Sequence, residues 1–300
     1  LRFVVGKNLL EAKNRAIDKA LDLKAPLDKR NAAAAVELPE YLLVNHEELF
    51  ELAVWRWGVP DGAYDLEKDG TRSCSVEFTY LLMARELEIP ELALFAMALC
   101  GTYAIDTNDE RGFVSDCVPQ TSVEKLTAFL DGCPGAPGSR RAKQALRWVA
   151  DSSASPMESC LTLLLCLPFR LGGFGLPLPE LNARPDETTQ SRALVGSRTI
   201  FGDLYWRDGK IMLEYDSDEE HTGSDRIAKD SKKRVVYAAA SIQCITVTNE
   251  QVKDTEELTK VARLVARALG KRIRNTDLAF RRRHAALRER LLSFTRVPST

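Results

Sequence analysis

The C-terminal half of the sequence predicts an α/β domain, a mixed sheet flanked by helices, and three observations carry the prediction. From Met157 to Thr248 the apolar periodicity switches in the order helix, strand, strand, strand, helix, strand, an alternation that belongs to a layered α/β fold and not to a bundle. Asp208-Gly209 stands between two strand-like runs and is a strong hairpin signal. The runs on either side of it alternate apolar with polar residues, as half-buried strands do.

The elements follow in chain order. Residues 1–30 read as a helix, with Leu9, Leu10, Ala16, Ile17, Ala20 and Leu21 at helical spacing. Residues 36–68 break into short strands and turns at Pro39, Gly58, Pro60 and Gly62. Ser75 has the character of an N-cap for the helix that contains Phe78-Thr-Tyr-Leu81, and a second helix covers 91–100 after the Pro90 break. A helix at 122–130, a Gly/Pro-rich linker at 133–139 and a helix at 140–150 lead into the second half. Ser155-Pro156 opens the next helix, since proline is accepted in a first turn, and Pro168 closes it. Strands are expected at 180–183, 200–206 and 211–216, then a helix over 225–240 and a strand over 242–248. Helices at 255–269 and 277–294 close the chain. The spacing divides the sequence into an α+β N-terminal domain (1–138), the α/β domain (139–252) and a basic helical C-terminal tail (253–300).

Composition excludes several classes. With 45% hydrophobic and 28% charged residues the 300-residue chain is globular in character. No apolar run reaches the eighteen or so residues that a membrane helix needs, and the opening stretch lacks the apolar core of a secretory signal. A cytoplasmic protein with no membrane partner is expected. Seven cysteines, with no CxxC spacing, form neither a disulfide framework nor a structural zinc motif. Cys160 and Cys166 fall in an apolar helical run and read as small buried hydrophobes. Residues 253–300 hold 13 Lys and Arg against 5 Asp and Glu, leaving 29 against 38 in residues 1–252. Such asymmetry points to a basic arm for an anionic partner, nucleic acid first.

The hairpin carries the candidate chemistry. If Asp208 and Gly209 are the central residues of a type I′ turn, Arg207 faces Lys210. Trp206 then pairs with Ile211, Tyr205 with Met212, Leu204 with Leu213 and Asp203 with Glu214. Opposed side chains stand about 4.5–5.5 Å apart at Cβ, so the last pair holds two carboxylates side by side. Alternation gives one apolar face (Leu204, Trp206, Ile211, Leu213, Tyr215) and one acidic face (Asp203, Glu214, Asp216). Opposed like charges destabilise a sheet unless something compensates them. A hard divalent cation does so, and Mg2+ (or Mn2+) is commonly held by one or two carboxylates plus water and phosphate. The plainer alternative is a solvated strand face with no ligand.

Residues Ser155–Val252 resemble the very-short-patch-repair-like endonuclease domains of the PD-(D/E)xK superfamily, which have a restriction-endonuclease-like fold. The resemblance rests on Ser155-Pro-Met-Glu-Ser-Cys-Leu161, Asp203-Leu-Tyr-Trp206 and Ile211-Met-Leu-Glu-Tyr-Asp216. It continues through His221, Arg226 and Asp230-Ser-Lys-Lys-Arg234 to Ile242-Gln-Cys-Ile-Thr-Val-Thr248. It implies that Asp203 and Glu214 hold the metal, with Glu158 approaching from its helix, and that His221 contacts the scissile phosphate or assists proton transfer. It further implies that Asp230 and Arg234 pair on one helix face or meet phosphate, that Asp216 supports the ligands, and that Arg226 and Lys233 face nucleic acid. Arg281 and Arg282 on the C-terminal tail add basic contacts to the backbone. One departure matters: Asp216 occupies the place of the superfamily's catalytic lysine, so that role is vacant or moved. The acidic run Ser217-Asp-Glu-Glu220 also suits a phosphate-facing loop poorly.

Other features read more simply. His221 alone would be an ordinary loop histidine. His46 reads as a surface or capping residue, and His284, next to Arg281–Arg283, as an addition to a basic face. Gly172-Gly-Phe-Gly175 lacks the following Lys-Ser/Thr of a phosphate loop. Residues 31–105 resemble the body of AbiEi-type antitoxins through Ser75-Val-Glu-Phe-Thr-Tyr-Leu81, which implies a protein partner for the N-terminal domain. Two functions are thus expected as alternatives. One is a Mg-dependent endonuclease acting on DNA in a phage-defence or mobile-element setting. The other is a catalytically eroded nuclease fold that binds nucleic acid or acts as an antitoxin-like regulator.

Overall fold

The computed structural model describes residues 59–66, 72–106, 109–185, 200–216, 224–274 and 276–295. In chain order these carry β1 (Tyr64–Leu66), β2 (Arg72–Cys74), α1 (Val76–Met83) and α2 (Ile89–Leu99), then the short pair β3 (Ala104–Ile105) and β4 (Phe113–Val114). Helices α3 (Val123–Asp131), α4 (Ser139–Leu146) and α5 (Pro156–Cys166) follow. Next come β5 (Glu180–Ala183), β6 (Gly202–Trp206), β7 (Ile211–Asp216), α6 (Ser224–Ala239) and β8 (Gln243–Thr248). The last helices are α7 (Asn249–Lys253), α8 (Thr255–Ala268) and α9 (Leu278–Thr295).

The chain divides into two compact units, Leu1–Glu86 with Lys125–Arg140, and Leu87–Glu124 with Arg141–Thr300. In the first, β1 and β2 pair antiparallel, Tyr64 opposite Cys74. Ser75 Oγ accepts the Phe78 amide at 3.2 Å and so caps α1 as its sequence suggests. Phe78 is buried, edge-on to Tyr64 at 5.8 Å and tilted against Phe129 of α3 at 6.4 Å. That cluster is the described core of an α+β unit.

Residues 87–124, grouped by sequence with the N-terminal domain, and 253–300, read as a tail, both belong to the second unit. The reason lies in α2 and α9. Leu92, Ala93, Leu94, Ala96, Met97 and Leu99 bury most of the circumference of α2, so it needs partners on more than one side. It packs on α5 and on α9, where Phe280, His284, Leu287 and Leu291 form a buried stripe.

The second unit is built on a mixed sheet in the order β5-β6-β7-β8. Pairs β5/β6 and β6/β7 are antiparallel, and β7/β8 is parallel. Parallel neighbours need a crossover, which α6 supplies. The succession α5-β5-β6-β7-α6-β8 is the one expected from the sequence.

The hairpin register agrees as well: Trp206 lies opposite Ile211, Tyr205 opposite Met212 and Leu204 opposite Leu213. Its turn does not. Arg207–Gly209 form a 3-10 turn and Lys210, at φ 45°, takes the left-handed position, so the loop is not type I′. Gly209 is closely approached by α8 instead. A Cβ there would come within 3.0 Å of Leu269 Cδ2 and 3.2 Å of the Ala268 carbonyl at the end of α8.

A second difference concerns the faces. Leu204, Trp206, Ile211 and Leu213 are buried as expected. The opposite face is not left to solvent, because Tyr205 and Met212 pack there under Tyr237, Ala240 and Ile242. The sheet is therefore covered on both sides, as strands beside a crossover helix usually are.

Candidate functional site

Strict alternation fails at one place in the sheet, and the carboxylates gather there. The last hairpin pair is Leu204 with Leu213. Beyond it, a Cβ on Gly202 would lie 2.2 Å from Met212 Sδ and 2.9 Å from Tyr237 Oη. Gly202 thus faces the same side as Tyr205, three residues on, which an unbroken strand forbids. Asp203 sits at the break, and its Oδ2 accepts the Tyr215 amide at 2.7 Å in place of a strand carbonyl. The expected Asp203–Glu214 opposition is therefore replaced by a looser arrangement in which the Asp203 carboxylate plugs the gap between β6 and β7.

Glu158 arrives from the first turn of α5. Ser155 caps that helix, its Oγ accepting the Glu158 amide at 3.1 Å and donating to Glu158 Oε1 at 3.0 Å. Glu158 Oε2 takes the Ala154 amide at 2.9 Å and Asn182 Nδ2 at 3.1 Å. The residue is only 7% exposed. Burial raises its proton affinity, those hydrogen bonds oppose the rise, and the charge of Glu214 adds to it. Asp203 is pushed well above the usual carboxylate range by burial first, then by the charges of Glu158 and Glu214, against the Tyr215 amide and Lys233. Three carboxylates from α5, β6 and β7 thus share one low-dielectric region.

Glu214 stands opposite Thr246 of β8. Lys233 Nζ lies 2.8 Å from Glu214 Oε2, with the two side chains 20% and 16% exposed. Tyr237, one helical turn later on α6, donates its hydroxyl to Glu214 Oε1. The spacing of four places both donors on one face of the helix. Burial and the Glu214 charge raise the Tyr237 phenol, which stays a donor. Beside it the Cys244 thiol is pushed up to about 11, by burial first and then by Glu214, so it is no nucleophile at neutral pH.

The remaining candidates are more scattered. Asp216 is half-buried at the end of β7, opposite Thr248. Arg234 is exposed on α6. His221, and the side chains of Arg226 and Asp230, lie outside the described residues, as does His46. Arg281 is exposed, and its guanidinium is engaged within the unit, to Glu256 Oε1 at 2.5 Å and to the Thr276 carbonyl at 3.3 Å. Arg282 is exposed.

His284 is not part of a basic face. It is fully buried, 4.8 Å from Phe174 and 5.6 Å from Phe280 between ring centroids. It stands four residues after Phe280 and three before Leu287, so helix geometry turns it inward while Arg281–Arg283 turn out. Its Nδ1 lies 2.8 Å from the Gly172 carbonyl. A carbonyl only accepts, so Nδ1 carries the hydrogen and Nε2 is a bare acceptor. Among the described residues the buried Nε2 has no hydrogen-bond partner, and burial lowers the imidazole to about 4.

Two residues of the carboxylate site escaped the sequence reading. Tyr237 had a signal, since it lies four positions after Lys233 on the inner stripe of α6. Asn182 had none, because a polar residue in an edge strand is ordinary. As to a metal, the donors are hard oxygens, which suits Mg2+ or Mn2+. Among the described residues no group of three or more His, Cys, Asp and Glu side chains is placed so that it could hold a metal ion. No helix among the described residues is long and apolar enough to cross a membrane. No protein-family model, no curated protein and no solved structure matches the chain.

Proposed function

We propose that the second unit is a restriction-endonuclease-like domain that hydrolyses nucleic-acid phosphodiesters, DNA first, with Mg2+ or Mn2+ held by Asp203 and Glu214. One observation carries this reading: Asp203, half-buried where β6 leaves β7, feels the charges of both Glu158 and Glu214, and all three come from different elements. Burying carboxylates together is costly unless a cation or a proton answers them, and such clusters concentrate at functional sites. The strand and helix order around them matches the arrangement that the sequence resemblance implies.

The bound ion would lower the pKa of an attacking water and offset charge on phosphorus. Lys233 takes over the cationic role that Asp216 leaves vacant on the hairpin. Its ammonium reaches Glu214 from α6 and points a fixed positive charge at the same carboxylates. Exposed residues such as Arg234 and Arg282 supply contacts to the backbone, which salt should weaken steeply through counterion release.

The test is a plasmid-nicking assay with Mg2+ or Mn2+, run on wild type, Asp203→Ala and Glu214→Ala. Cutting by wild type alone, with circular dichroism unchanged in the variants, supports the assignment; equal cutting by all three removes it. A second reading has its own observation. Both oxygens of Glu214 are already taken, by Lys233 and by Tyr237, as in an eroded site that binds nucleic acid without cleaving it. Metal-independent DNA binding with no nicking would select that reading.

A further inference from the structure

Asn182 has two features that its place in β5 does not require. Its backbone is left-handed, φ 45°, a conformation that asparagine tolerates better than most but that a strand does not call for. Its side-chain amide donates twice, to the Ser152 carbonyl at 2.7 Å and to Glu158 Oε2 at 3.1 Å. Ser152 is left-handed too, at φ 70°. Two unusual backbone positions, thirty residues apart in the chain, therefore meet at one hydrogen bond.

The place of that meeting matters. Asn182 and Asp203 are the residues left between the pairs Leu181–Leu204 and Ala183–Gly202 of β5 and β6. Departure from strand geometry at Asn182 turns its amide toward the first turn of α5, where Glu158 is held. The same stretch includes Ser153, whose Oγ bonds the Ser155 carbonyl at 3.1 Å and receives Ser159 Oγ at 2.8 Å. Tyr103 Oη meets Ser159 Oγ at 3.0 Å. The start of α5 is thereby fixed from inside, and Asn182 ties it to the sheet.

We propose that Asn182 is a positioning residue of the carboxylate site, its amide setting Glu158 against Asp203 and Glu214. The proposal rests on the metal-dependent nuclease reading above. Partners that orient ligand carboxylates typically matter by about 10–100-fold in metal affinity or activity. Loss of this amide leaves Glu158 Oε2 with one donor fewer and frees the carboxylate to rotate away from the orientation that the ion and its neighbours require.

The experiment compares the full chain with Asn182→Gly, which keeps the left-handed backbone and removes the amide, and Asn182→Asp, which keeps size and backbone tolerance but cannot donate. Mn2+ binding is read by calorimetry on wild type and the glycine variant, and kcat and KM by cleavage of a duplex. Both variants should fold as wild type does, with kcat down about 10–100-fold and KM within about twofold, the pattern of a lost transition-state arrangement. The glycine variant should bind Mn2+ about tenfold more weakly. Wild-type kcat in both variants with unchanged Mn2+ affinity would overturn the proposal, as would loss of the fold in both. If only the glycine variant fails to fold, the kcat of the aspartate variant decides. A wild type that neither binds Mn2+ nor cuts removes the nuclease reading itself, and this proposal with it.

Discussion

Glu158 and His284 are both buried in the second unit, yet their surroundings differ in kind. Glu158 receives donors from Ala154, Ser155 and Asn182 and shares its region with two more carboxylates. His284 lies against Phe174 and Phe280, with one ring nitrogen unanswered among the described residues. Around Glu158 the protein assembles like charges that it could have avoided; around His284 it accepts one neutral ring to fill a core. A shifted titration is common to both, so the shift alone does not mark a functional site. Several ionisable groups of one sign, held by hydrogen bonds from separate elements, are the stronger pointer to one.

The contrast can be broken at the aromatic anchor first. Phe280 is fully buried and stacked on Phe169 at 4.2 Å. Phe280→Ala should cost about 3–5 kcal/mol of stability, the usual range for a large core ring, measured by urea unfolding. It should leave Mn2+ affinity of the folded protein unchanged. Loss of Mn2+ binding without loss of stability would show that the two regions are not separate.

The His284 titration comes next. Its folded value near 4 lies below the ordinary 6.5, so the unfolded chain takes up the proton first. The associated stability is complete above pH 6.5 and is lost as pH falls from 6.5 toward 4, about 3 kcal/mol in all. Unfolding free energies at pH 7, 5.5 and 4 should show that decline, and His284→Phe should flatten it. An unchanged slope in the variant would place the acid sensitivity elsewhere.

Lys233→Met sharpens the other side. Removing the Lys233 ammonium from Glu214 should lower kcat about a hundredfold, as for loss of a single charge-stabilising donor. Stability should fall as well, because the largely buried Glu214 loses a cation that answers it. Full activity in Lys233→Met would return the cationic role to some other residue.

How much of this was legible follows from the kind of signal each feature leaves. The order of elements and the three hairpin pairs were readable because period-two alternation and Asp208-Gly209 are local. The turn type was not, because Gly209 answers to α8, far away in the chain. Asp203 and Glu214 were visible as acids among apolar strand residues, but their exact relation was not, since the break at Gly202 depends on Met212 and Tyr237. Glu158 is singled out in the sequence only by the resemblance, since an acid in a first helical turn is otherwise ordinary. His284 could have been recognised: Phe280, His284, Leu287 and Leu291 repeat at helical spacing, and the run Arg281–Arg283 distracts from it. Asn182 leaves no trace in sequence, since a left-handed strand residue is a property of the fold around it.

The proposed function implies that Asp203 and Glu214, with Glu158 beside them, are kept together for a cation at some cost to the metal-free fold. Thermal unfolding of wild type and Asp203→Asn, each with and without Mn2+, tests it most directly. Asparagine can still accept the Tyr215 amide while removing one charge, so without metal the variant should be more stable by about 1 kcal/mol, in the range of other substitutions that relieve a functional site. Added Mn2+ should raise the Tm of wild type and not of the variant. A variant that is less stable without metal, together with a wild type indifferent to Mn2+, would show that the carboxylates serve the fold alone.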